Sequence, residues 1–140
     1  MGQAQADAQQ LMNVALSDAE RYLTKYGEFF PFGAAMSPDG EISRVAAYDG
    51  DDQPLSSDLI SMLKEAFVGA AKSGEYKATA LAYDALVSSP GTGIKSDTVV
   101  INIDHSSGYS IVVFMPYSLT DGKLETGELF AENGANETFR

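Results

Sequence analysis

Two turn signals, each set between apolar runs, constrain this chain more than any other feature of it. Residues 29–36 and 42–48 flank Ser37-Pro38-Asp39-Gly40, where Pro presets φ for a turn and Gly supplies a positive-φ position. Residues 98–103 and 109–117 flank His105-Ser106-Ser107-Gly108 in the same manner. Strands joined by so few residues must run antiparallel, because a parallel return needs a crossover of a dozen residues or more. Two hairpins therefore commit the chain to a mainly antiparallel sheet.

The remaining periodicity supplies the helices. Met12, Leu16, Ala19, Leu23 and Tyr26 recur at steps of three and four, with Leu11, Ala15 and Tyr22 beside them. Arg21 and Lys25 suit the negative end of that helix, and Gly27 suits its left-handed stop. A second stripe, Leu59, Met62, Leu63, Ala66, Phe67 and Ala70, follows Ser56 and Ser57, either of which offers a capping oxygen. From residue 76 the pattern is β, with a long run at 76–87 and a last strand at 124–131, where Gly127 suits a bulge. The order reads α-β-β-α-β-β-β-β. Strands in runs, not strictly alternating with helices, imply an α+β domain with two helices packed on one face of the sheet. One domain spanning 1–140 is expected, with 1–10 and 132–140 loose. Val100 and Asn102 alternate with Val99, Ile101 and Ile103, so the outer face of that strand is partly apolar too. A second copy of the chain or a curved sheet would cover it.

Composition narrows the function. Nine basic and 20 acidic residues give a net charge of -11. Phosphate backbones are bound through Lys and Arg, so this field opposes a nucleic acid, and it opposes an anionic membrane equally. It favours a basic protein partner, for which Asp49, Asp51 and Asp52 are the candidate contacts. The absence of cysteine excludes disulfides and thiolate chemistry. The start, MGQAQADAQQ, has neither the basic nor the apolar region of a signal peptide, and no apolar run nears the roughly 18 residues of a membrane span. A cytoplasmic setting is expected.

No motif for a cofactor, a metal or catalysis stands up to its own spacing. The one histidine, His105, has a single acidic neighbour, Asp104, and reads as an exposed turn residue. The acidic group from Asp49 begins like a calcium loop, but the twelfth position holds Ile60 where a bidentate Glu belongs. Pro90-Gly91-Thr92-Gly93-Ile94-Lys95-Ser96 approaches a phosphate loop, yet Ile94 breaks the Gly-Lys spacing and a strand follows where a helix should. Ser106, Ser107 and Ser110 lie near His105 without a nucleophile elbow. Of the carboxylates bordering apolar strands (Glu28, Asp84 and Glu128), Asp84 shares the alternation of Ala78, Ala80 and Ala82. If that face is buried, its pKa rises or it is hydrogen-bonded. A pocket between helices and sheet would lie near Tyr26, Phe30, Tyr83 and Asp84.

Two resemblances accompany these residues. Pro31-Phe32-Gly33-Ala34-Ala35-Met36 followed by Asp39-Gly40-Glu41-Ile42, between two helices, resembles the opening α-β-β-α of the cytidine deaminase superfamily. That family's zinc chemistry resides in H-x-E and P-C-x-x-C motifs, and neither occurs here. The runs Gly27-Glu28-Phe29-Phe30-Pro31-Phe32-Gly33, Ala47-Tyr48-Asp49-Gly50-Asp51, Pro90-Gly91-Thr92-Gly93, Phe114-Met115-Pro116-Tyr117 and Gly127-Glu128-Leu129-Phe130-Ala131 resemble a family of small acidic bacterial α+β proteins with immunity-like members. That resemblance implies a compact fold and a bacterial cytosolic setting, and it carries no catalytic residues. Three readings remain: a non-catalytic binding domain, with an immunity-like version acting through its acidic surface; a small-molecule-binding or weakly catalytic domain; and a homodimer formed through strands 98–103 and 109–117.

Overall fold

A computed structural model describes residues 2–47, 50 and 54–139. Helix α1 (Gln3–Tyr26) starts the chain and stops where Gly27 takes a φ of 77° and its N–H caps Leu23. Strands β1 (Phe32–Met36) and β2 (Ile42–Val45) follow as a hairpin, closed by Gly40 at a φ of 92°. Helix α2 (Ser56–Lys72) comes next, then the long strands β3 (Ala78–Ser88), β4 (Lys95–His105) and β5 (Ser110–Thr120). Short strands β6 (Lys123–Thr126) and β7 (Phe130–Asn133) end the regular structure.

Among the described residues, the strands form one antiparallel sheet in the order β2-β1-β3-β4-β5-β6, with β7 also paired to β5. The α+β class, the antiparallel sheet and the order of elements are those expected. The final strand is broken in two around residues 127–129, where the Gly127 N–H bonds to the Pro116 carbonyl at 2.7 Å. The loop at 90–94 is a plain hairpin connection between β3 and β4, with Gly91 and Gly93 at positive φ.

One expectation is corrected. The two helices lie on opposite faces of the sheet, not on one. Ala34, Met36, Ala80, Ala82, Val99, Ile101, Ile103, Val113 and Met115 point to the α1 side and join Leu11, Ala15, Ala19 and Leu23 in the larger core. Ala35 and Leu81, on the alternate positions, point the other way and meet Leu63 and Phe67 of α2. A strand apolar on both faces needs cover on both. Val100 is likewise buried within one chain, with no second copy needed to cover it.

Details of both helices also shift. The buried stripe of α1 runs through Asp7, Ala8, Leu11, Ala15, Asp18, Ala19 and Leu23, one column round from Met12 and Leu16, and Tyr26 is exposed. The facing surfaces are rich in alanine, so the helix lies close to the sheet. Helix α2 is capped by Leu55 without a side-chain bond, and Ser56 and Ser57 fall inside its first turn. No helix among the described residues is long and apolar enough to cross a membrane.

Candidate functional site

Helix α2 packs chiefly on β3 and β1, so it leaves much of its face of the sheet to other cover. The segment after β7 supplies part of that cover, and a cleft of about 920 Å³ remains between them. Its floor is Thr79, Leu81, Asn102, Asp104 and Val112 from the three central strands. Lys64, Phe67, Val68 and Lys72 form one wall, and residues 133–139 form the other. Clefts that take small ligands have this volume and this mixture of apolar walls with few polar groups.

The segment after β7, expected to be loose, is fastened to the sheet by specific bonds. Asp104 accepts from Ser110 Oγ at 2.7 Å, from Thr138 Oγ1 at 2.8 Å and from the Thr138 N–H at 3.2 Å. Asn136 donates from Nδ2 to the His105 carbonyl at 3.2 Å, and its own N–H reaches Ser110 Oγ at 3.1 Å. Glu137 pairs with Lys64 across the cleft at 3.2 Å. Residues 3–10, also expected to be loose, are the first turns of α1, and Asp7 and Ala8 among them are buried.

Two buried carboxylates lie on the opposite face, where α1 crosses the sheet. Asp7 meets His105 Nε2 at 2.9 Å, Lys77 Nζ at 3.2 Å and Gln3 Nε2 at 2.8 Å. The Ser107 N–H donates to His105 Nδ1 at 3.0 Å, which leaves the ring proton on Nε2, facing Asp7. Burial pushes the Asp7 carboxyl upward, but the hydrogen bonds from His105, Gln3 and Lys77, with the Lys77 charge, outweigh it and hold the group below its usual 3.8. His105 is thus a buried anchor, not the exposed turn residue expected. Asp18 is gripped by Arg44 in a two-bond fork, at 2.7 and 3.2 Å, and by Arg21 at 3.1 Å. Both clusters join α1 to the sheet, and neither opens onto the cleft.

The residues singled out in the sequence do not assemble into one site. Tyr26, the last residue of α1, and Phe30, just after it, are exposed, and Tyr83 packs against the α2 core. Asp84 is exposed at residue level and accepts from the Tyr117 hydroxyl at 2.8 Å. Desolvation raises its pKa, partly countered by that hydrogen bond, and the Asp97 charge adds to the rise. Burial and the Asp84 charge push the Tyr117 phenol upward as well. None of these four lines the cleft. Glu28 and Glu128 are exposed. Asp49, Asp51 and Asp52 lie outside the described residues. Ser106 and Ser107 are exposed, and Ser110 is spent on Asp104 and Asn136. Among the described residues, no group of three or more His, Asp or Glu side chains is placed to hold a metal ion.

Sequence reasoning missed the cleft residues almost entirely. One signal was present: Asn102 interrupts the outward-facing positions of an otherwise apolar strand. Comparison of the chain with protein-family models, curated proteins and solved structures found no match in any of the three.

Proposed function

We propose that this protein is a non-catalytic binding domain whose ligand occupies the cleft between α2, the central strands and the segment after β7. The observation that carries this reading is the cleft itself: about 920 Å³, with a sheet floor, an apolar wall at Phe67 and Val68, and a second wall at residues 133–139. Binding fits it better than catalysis because its chemistry-bearing groups are already committed. Asp104 accepts three hydrogen bonds and Thr79 Oγ1 donates to Thr138 Oγ1 at 3.3 Å, which leaves no activated nucleophile beside a free base.

Titration of the isotope-labelled protein with a library of small neutral aromatics and amides, followed by amide NMR, tests this. The expected result is a set of shifts confined to the amides of Phe67, Leu81, Asn102, Val112 and Phe139. Shifts elsewhere only, or none with any compound, would overturn it.

The net charge of -11 favours a second reading, in which an acidic surface steers a basic protein onto the chain, as an immunity-like partner would. Repeating the titration with a lysine-rich peptide separates the two. Binding away from the cleft that weakens as salt rises supports steering, and salt-independent binding counts against it. The homodimer reading has less to rest on, since Val100 and Phe114 of the proposed interface strands are already buried within one chain.

A further inference from the structure

Every polar side chain on the cleft floor is satisfied from within the chain except one. Asp104 and Thr79 are tied to the segment after β7. On the wall, Asn133 is exposed, and Asn136 uses both ends of its amide, donating to the His105 carbonyl and accepting from the Phe139 N–H at 3.3 Å. Asn102 differs: among the described residues, no hydrogen bond involves its side chain, although it is half-buried in the middle of a central strand. It stands in register between Leu81 on β3 and Val112 on β5, so its carboxamide has apolar neighbours on both sides. Asn is a poor strand residue, and Val or Ile at this position would serve the sheet better.

Charge points to a neutral occupant. Lys64 and Lys72 on the wall are offset by Glu65 and Glu137, with Lys64 already paired to Glu137. The Asp104 carboxylate is saturated by Ser110 and Thr138. The charges lining the cleft come close to cancelling, which leaves little net field to hold an ion.

On the reading of the cleft as a binding site, we propose that Asn102 is its specificity residue and that the ligand is a neutral molecule presenting a planar amide-type edge. A carboxamide offers one acceptor and two donors in one plane, so it pairs two-fold with an edge carrying a donor beside an acceptor. Primary amides, lactams and amide-like edges of neutral heterocycles have this pattern. Phe67, Val68 and Phe139 take the apolar remainder of the molecule.

The test uses three probes of one size: benzamide, acetophenone, which keeps the acceptor and lacks the donor, and benzoate, which is charged. Affinities are read by NMR titration of the full chain and of Asn102→Leu, a change of similar volume suited to the apolar neighbours. Benzamide is expected to bind roughly tenfold more tightly than either analogue, as two good hydrogen bonds allow. Asn102→Leu is expected to lose that preference while binding acetophenone at least as well. Equal binding of the three probes, or a preference that survives Asn102→Leu, overturns the role of Asn102 and leaves the cleft reading intact. A cleft that takes none of the probes, nor any compound of the wider library, removes both.

Discussion

Where α1 crosses the sheet, Ala8, Ala15 and Ala19 join Ala34, Ala78, Ala80 and Ala82 in one buried core, and small side chains line both surfaces. Where α2 crosses the other face, Leu59, Leu63 and Phe67 are its buried residues, and the helix packs chiefly on the β1–β3 half of the sheet. The polar groups follow the same division. On the α1 face, buried Asp7 and Asp18 are each held by cations or His105 and fix the helix in place. On the α2 face, Asp104 fixes the segment after β7, and among the described residues the Asn102 side chain makes no hydrogen bond. A sheet apolar on both faces thus has unequal cover: one face is buried under α1, and the half-covered face leaves open the floor on which the proposed binding rests.

The comparison fails if the α1 face is not the costlier one to damage. Ile101 is fully buried in the α1-face core. Ile101→Ala removes its side chain with little room for collapse and is expected to cost about 2–5 kcal/mol. Urea denaturation measures this directly, and a loss below about 1 kcal/mol would mean that the α1 face is not tightly packed.

The α2 face breaks at a different point. A Cβ at Gly33 would lie 2.6 Å from Phe67 Cζ and 3.1 Å from the Ala80 carbonyl. Phe67 is buried, so it cannot swing into solvent without giving up its packing. Gly33→Ala is expected to cost about 1–3 kcal/mol, through overpacking rather than a void. Because Phe67 also forms part of the cleft wall, the same change should move the amide signals of Leu81 and Asn102. A cost with no change at those amides would show that Phe67 does not couple the core to the cleft.

How much of this could be read in advance depends on whether the signal was local. Both hairpins were legible because Pro38, Gly40 and Gly108 announce their turns within a few residues. The stripe of α2 was legible at Leu59, Leu63 and Phe67 for the same reason. The sidedness of the helices was not, although Ala35, Leu81 and Val100 already marked a second apolar face that required cover. The stripe of α1 was misplaced by one column because alanines and two buried acids carry it, and neither type stands out as core. His105 and Asp7 are 98 positions apart, and no local pattern joins them. The cleft depends on a C-terminal segment whose polar residues are spent on the sheet, and only the topology shows what they reach.

The smallest effect expected is also the one whose sign is most informative. Asp7 and Asp84 both border the α1 side of the sheet, yet their pKa values move in opposite directions. Asp7 is held below its ordinary 3.8 in the folded state. Its contribution is therefore fully present above that pH and is lost as pH falls through the lower folded value. Asp84 is raised, so the favourable term it adds is present below pH 3.8 and is lost as pH rises through its folded value. Stability of the two Asn variants, measured by urea denaturation at steps from acid to neutral pH, separates the cases. Asp7→Asn should lower stability at neutral pH and flatten the decline in acid. Asp84→Asn should leave neutral-pH stability equal or higher and remove a small opposing slope, small because the residue is exposed in part to solvent and Asn keeps an acceptor for Tyr117. If the Asp84→Asn curve superimposes on that of the parent, Asp84 is an ordinary surface carboxylate. The titrating charge that matters to this fold would then lie with Asp7, under α1.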